Sequence, residues 1–200
     1  MRSSKRCSIC EEVSIELDPL GIVRRLGGDS RSLSLLGTVR QEIVEVERLL
    51  APRAAWLTTC EVTVAEGVCR LDGLEARSEN LASLLGRCES ASLFLLTVGP
   101  EIDELIERQS GLPHRQVVTD AIGSEAAEAT ARWVSRALGQ RARLSGCRVT
   151  PRFSPGYGDF GLESQAWFVE NLGEAVGVSL AGSTMVPRKS ISGVVGWKRS

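Results

Sequence analysis

In Arg152-Phe-Ser-Pro-Gly-Tyr-Gly158 two glycines flank the only tyrosine of the chain, a proline stiffens the approach to the turn, and an arginine precedes it. Glycine permits backbone angles closed to other residues and lets a ligand come close to the main chain, while proline fixes φ where the turn begins. A loop of this composition can offer backbone N–H groups to a ligand. Arg152 adds a fork of donors matched to a carboxylate, and Tyr157 a flat ring with a polar tip. The same composition also suits a plain surface turn, so the surrounding elements decide how it is read.

Downstream of the loop the sequence predicts a helix over residues 162–172, with Phe168 and Leu172 on one side. Two strands, 176–181 and 190–197, follow, separated by a turn at Pro187. Upstream, residues 116–138 are alanine-rich and free of proline, the pattern of the longest helix. Before it, Leu93–Val98 reads as a buried strand, Gly99-Pro100 as its punctuation and 101–109 as a helix. Residues 54–65 and 68–71 carry β-branched residues around Gly67, as in a hairpin, and 75–85 is read as a helix. Leu36, Val39, Ile43, Val46 and Leu50 recur at steps of three and four, an apolar helical stripe ended by Pro52. Asp18-Pro19 reads as an N-cap with proline at the first helical position, opening a short helix that stops at Gly27-Gly28. Val13–Leu17 alternates like a half-buried strand. Strands interleave with helices without repeated strand-helix-strand units, so the expected class is α+β, one domain over residues 13–200 behind a flexible leader at 1–12.

Composition narrows the function. The chain has 200 residues, 42% hydrophobic and 24% charged, enough to build a core without disulfides or metals. A net charge of −1 gives no global positive field for nucleic acid or an anionic membrane. No apolar run approaches the ~20 residues of a membrane span, and Met1–Cys7 has no signal-like apolar stretch, so a cytoplasmic protein is expected. Six scattered cysteines do not make a disulfide scaffold. Cys7 and Cys10 form a Cys-x-x-Cys pair that could bind metal, act as a redox pair or sit in a mobile tail. His114 is the only histidine, so a self-contained tetrahedral metal site would need further cysteines brought close by folding.

The loop resembles the Arg-x-x-Pro-Gly-Tyr signature of the activation domain of cobalamin-dependent methionine synthases. Two further segments keep that family's order and spacing: Gly177-Val-Ser-Leu180 resembles its Gly-x-x-Leu strand, and Met185-Val-Pro-Arg-Lys-Ser-Ile-Ser-Gly193 its Met-x-Pro-x-x-Ser-Val-Ser-Gly. The resemblance covers about residues 117–196 and is faint upstream. It implies a mainly antiparallel, curved α+β domain that binds S-adenosylmethionine in a shallow cleft and presents its methyl group to a corrinoid. Family members return oxidised cob(II)alamin to its methylated form by one-electron reduction coupled to methylation.

On that resemblance Arg152 would hold the ligand's carboxylate, with Ser154 and Tyr157 using backbone groups at the adenine end and Gly156 keeping the chain close. Glu128, in Ala127-Glu-Ala129, would face the ligand's ammonium group. Glu125 is the competing residue, and Glu128 also precedes Arg132 by four residues, the spacing of an ordinary helical ion pair. Asp18 lies where the family has an acidic residue, although its N-cap position accounts for it equally. His114, beside Pro113, reads as a surface residue. The family often has alanine at the position of Ser154 and proline at that of Phe153. Its full-length domain also continues past the final strand with a segment supplying another tyrosine.

With no corrinoid-binding or substrate-binding domain in the sequence, the implied activity is that of a methyltransferase component working in trans. Cobalamin would be carried by a partner, a corrinoid-binding methyltransferase such as methionine synthase, with a flavodoxin or ferredoxin as electron donor. The alternatives are a non-catalytic module that recognises a corrinoid protein without binding S-adenosylmethionine, and a small redox or metal protein built on Cys7 and Cys10.

Overall fold

The structure, a computed structural model, describes residues 8–10, 13–29 and 31–199. Its centre is a five-stranded antiparallel sheet made of β1 (Ser8–Cys10), β2 (Arg53–Thr59), β6 (Ser90–Thr97), β7 (Cys147–Val149) and β10 (Ser190–Arg199), in the order β1-β2-β6-β10-β7. The central strand, β6, is buried along nearly its whole length because both faces of the sheet are covered. Successive side chains point to opposite faces. Ala54, Trp56, Phe94 and Leu96 therefore pack with Ala131, Val134 and Leu138 of α5 (Pro113–Leu144). Ala55, Leu57, Leu93 and Leu95 pack on the other side, against α3 (Glu79–Leu85) and α6 (Gln165–Val176) through Leu81, Leu85, Phe168 and Leu172. A third cluster joins α1 (Pro19–Arg25), α2 (Leu33–Val46) and α4 (Glu101–Arg108) to the first half of α5.

A second sheet, β3 (Val62–Ala65), β4 (Val68–Leu71) and β5 (Leu74–Arg77), closes the face that carries α3. Its hairpins turn at Glu66-Gly67 and Asp72-Gly73, both residues of each pair having positive φ. That geometry matches the right-handed twist of the strands. A short hairpin, β8 (Ser179–Ala181) with β9 (Thr184–Val186), leads to β10 through a cis Val186-Pro187 bond.

The α+β class and the antiparallel pairing agree with the sequence reading, and several local expectations need correction. Val13–Leu17 has the burial of a strand, Val13 and Leu17 being buried, but forms no ladder among the described residues. The edge of β2 is instead taken by Ser8–Cys10, inside the segment read as a leader. Residues 74–77 are β5 rather than the first turn of a helix, and β7 and β9 add two strands to those expected. The Asp18 cap is as expected: its carboxylate accepts from the N–H of Leu20, with Pro19 at the first helical position. His114 lies exposed in the first turn of α5 rather than in a loop. Cys10 is on β1 and Cys7 lies outside the described residues. Among the described residues no group of three His, Cys, Asp or Glu side chains could hold a metal.

Candidate functional site

Residues 152–161 follow β7 along the edge of β10. Phe153 pairs with Val194 through two backbone hydrogen bonds, 2.9 and 2.8 Å, which fasten the loop to β10. The turn then closes on itself: the N–H of Tyr157 donates to Ser154 C=O (3.2 Å), that of Gly156 to Phe160 C=O (2.7 Å) and that of Phe160 to Tyr157 C=O (3.0 Å). Gly156 and Gly158 adopt φ of +90° and +57°, the left-handed region that disfavours other residues. Phe160 is buried and stacks on Phe153 with ring centroids 6.0 Å apart.

The far end of the loop is held by Asp159. Its carboxylate accepts from the Ser78 hydroxyl, from the N–H of Glu79 (2.7 Å) and from the N–H of Asn80 (3.3 Å). Ser78 is itself the N-cap of α3, accepting from the Leu81 N–H. The Ser78 hydroxyl, followed by the Glu79 and Asn80 groups and against some loss of hydration, holds the Asp159 carboxyl below the ordinary carboxylate range.

Beside the loop is a cleft of about 210 Å³ lined by Glu128, Arg152, Ser154, Tyr157, Gln165 and Ser192, together with Pro155, Met185, Ser190 and Ile191. Arg152 Nη2 donates to Glu128 Oε2 (2.5 Å), and the two side chains are equally half-buried, at 28% exposure each. Arg152 Nη1 is buried and has no hydrogen-bond partner among the described residues. The same is true of Gln165 Oε1 and Ser192 Oγ. Buried polar atoms in folded proteins are nearly always satisfied, so three unpaired atoms on the lining of one cleft mark it as polar and ready to bind. Tyr157 is 63% exposed at the cleft's rim.

Of the residues singled out in the sequence, Arg152, Ser154, Tyr157 and Glu128 line this cleft, and Gly156 shapes the turn. Asp18 does not. It lines a separate hollow with Glu16, Ala129, Arg132 and Arg136, and its carboxylate pairs with Arg24 at 3.1 Å. Glu125 is buried and held by Arg132 (2.6 Å) and Arg25 (3.8 Å). The partner of Arg132 is therefore Glu125 and not Glu128, which leaves Glu128 for Arg152. Of the Ser154 and Tyr157 backbone groups expected to serve a ligand, the Tyr157 N–H, the Ser154 C=O and the Tyr157 C=O all bond within the turn. Gln165 and Ser192 join the lining without having been singled out in the sequence. Ser190 and Ser192 stand two apart on a strand and share a face, a signal available in the sequence.

An α+β domain built on this antiparallel sheet is the fold of a known domain. The chain superposes on the crystal structure of the MetH reactivation domain bound to AdoHcy, with a TM-score of 0.68 over 96% of this chain and 78% of that one, at 15% sequence identity. No protein-family model and no curated protein sequence matches it. No helix among the described residues is long and apolar enough to cross a membrane.

Proposed function

We propose that this protein binds S-adenosylmethionine through the Arg152 cleft and serves, in trans, the reductive methylation of an oxidised corrinoid on a partner methyltransferase such as methionine synthase. The observation that carries the reading is the Arg152–Glu128 pair at a cleft whose lining holds unpaired polar atoms. An α-amino acid presents a carboxylate and an ammonium group side by side, and a guanidinium beside a carboxylate is their charge complement. Arg152 takes the carboxylate and Glu128 the ammonium, the two side chains parting from each other to admit them. At about 210 Å³ the cleft is smaller than the ~300 Å³ at which pockets for drug-sized ligands begin. It accommodates the amino-acid end of the ligand and leaves the adenosine on the surface beside the exposed Tyr157 ring, a platform suited to stacking. The resemblance of the loop and of the Met185–Gly193 segment to the activation-domain motifs supports the same assignment, as does the fold.

The ligand would supply the methyl group, and a separate donor such as a flavodoxin or ferredoxin the electron. The residues of this chain bind and orient, and the reactive chemistry lies with the ligand and the partner's corrinoid. Calorimetric titration with S-adenosylmethionine tests the reading, with saturable binding lost in Arg152→Ala as the expected result. Absence of any binding by the wild type would reject it.

A second reading rests on the closed Arg152–Glu128 contact: with each charge satisfied by the other, the fold would serve as a corrinoid-protein-binding module without S-adenosylmethionine. Pull-down of a cobalamin-loaded methyltransferase that is indifferent to added S-adenosylmethionine would favour it.

A further inference from the structure

Between Glu128 and Asp159 the chain contains six arginines and not one acidic residue, although the protein as a whole carries a net charge of −1. Two of these arginines have carboxylate partners, Arg132 with Glu125 and Arg152 with Glu128. Arg141 stacks over the Trp56 ring at 4.9 Å. The remaining three, Arg136, Arg143 and Arg148, have no carboxylate partner among the described residues, and all three line one hollow of about 440 Å³ between the second half of α5 and β7. No acidic side chain among the described residues lines it. Gln140 adds a further donor, and Gly139 with Val149 provides an apolar floor in which a Cβ at Gly139 would sit 3.5 Å from Val149.

Compensation of the helix dipole explains cations only in the last turn of a helix. That accounts for Arg143, near the end of α5, but neither for Arg136, two turns earlier, nor for Arg148, on a strand. Seven residues of helix separate Arg136 from Arg143, a rise of about 10 Å. Arg148 approaches from the neighbouring strand, so the three arginines line the hollow from two elements and do not form a row along one helix. A concave hollow of this size is in the range of small-molecule sites. Guanidinium forks are matched to the paired oxygens of phosphate.

We propose that this hollow is a second ligand site, distinct from the Arg152 cleft, that takes a small organic phosphate, with Arg136, Arg143 and Arg148 as the phosphate contacts. It does not depend on the S-adenosylmethionine reading and is tested without that ligand. Inorganic pyrophosphate is titrated calorimetrically into the whole protein in parallel with sodium chloride at matched ionic strength, and into Arg136→Ala, Arg143→Ala and Arg148→Ala, whose folding is checked by circular dichroism. Expected is saturable pyrophosphate binding, weakened about tenfold or more in each variant, as loss of a charged hydrogen bond implies, and partly restored by Arg143→Lys. Binding no stronger than the chloride control, or equal binding in wild type and variants, overturns the proposal. A poly-glutamate peptide that competes for the same arginines and binds more tightly than pyrophosphate also overturns it, in favour of an acidic protein partner.

Discussion

Arg152 and Glu128 stand 24 residues apart in the chain and meet at the edge of the Arg152 cleft, one from a glycine-flanked loop and the other from the middle of α5. Both side chains are largely shielded, at 28% exposure each, so their contact counts for more than a surface ion pair and for less than a fully buried one. Arg152→Ala should therefore cost ~1–2 kcal/mol of stability while weakening S-adenosylmethionine binding by ~1.5–3 kcal/mol. Glu128→Gln, which keeps the shape and removes the charge, should weaken binding in the same direction. Calorimetry and denaturant unfolding on the two single variants and the double variant measure both effects. If either single variant binds S-adenosylmethionine as tightly as the wild type, the zwitterion assignment fails.

The anchoring of the loop to α3 depends on pH. Because the Asp159 carboxyl is held below the ordinary range in the folded protein, the folded state binds fewer protons there than the unfolded chain in acid. The stability this contributes is full above the ordinary carboxylate range and is lost as pH falls through the lower folded value. Asp159→Asn should be less stable than wild type near neutral pH, with the difference shrinking as the solution is acidified. Urea unfolding between about pH 7 and about pH 3 follows the difference. A gap that stays constant across that interval would show that the Ser78, Glu79 and Asn80 contacts do not depend on the carboxylate charge.

Two glycines make opposite predictions. A Cβ at Gly193 on β10 would lie 2.8 Å from the ring of Phe94 and 3.0 Å from Ser154 Oγ. Phe94 is fully buried and cannot yield, so Gly193→Ala should destabilise by ~1–3 kcal/mol. It should also push the loop off the strand and weaken ligand binding. Gly37, inside α2, has open space for 4 Å around the point where a Cβ would stand, and Gly37→Ala should stabilise by ~0.5–1 kcal/mol. Thermal unfolding of both variants decides, and a destabilised Gly37→Ala or a neutral Gly193→Ala would contradict the packing described.

How far the sequence carries can be judged from particular elements. Asp18-Pro19 and the alanine-rich α5 are legible because caps and long proline-free stretches are local signals. Glu75–Arg77 reads as helix because Glu, Ala and Arg all favour it, and only pairing with β4 makes them a strand. The signal that corrects it is Asp72-Gly73, a two-residue hairpin turn between alternating apolar residues. In the site, Arg152, Ser154 and Tyr157 can be found together because they share one loop. Gln165 and Ser192 come from separate elements that only the fold brings to the same cleft. Asp18 illustrates the converse: a local role as helix cap and partner of Arg24 suffices for it, and the fold puts it beside a different hollow. Asp159 escapes a local reading because its partners are some 80 residues away in sequence.

Cysteine chemistry offers a test that is independent of any ligand. Cys69 is fully buried on β4, and burial, followed by the negative charges of Asp159 and Glu79, pushes its thiol up to about 11. Burial also raises the Cys88 thiol, against a smaller opposing pull from Lys198. Only the thiolate attacks alkylating reagents, so neither residue should react in the native protein at about pH 8. Cys60 is exposed just after β2 and should be modified before Cys69 and Cys88. Iodoacetamide labelling read by peptide mass spectrometry separates the sites. In Cys60→Ser that adduct should disappear while Cys69 stays protected until denaturant is added. Cys7→Ser with Cys10→Ser should leave folding unchanged, since Cys10 sits on a three-residue edge strand whose backbone pairing with β2 does not involve the thiol. Labelling of Cys69 as fast as Cys60 in the folded state would mean that the sheet of β3, β4 and β5 opens readily, and with it the contact between α3 and Asp159 that steadies the loop.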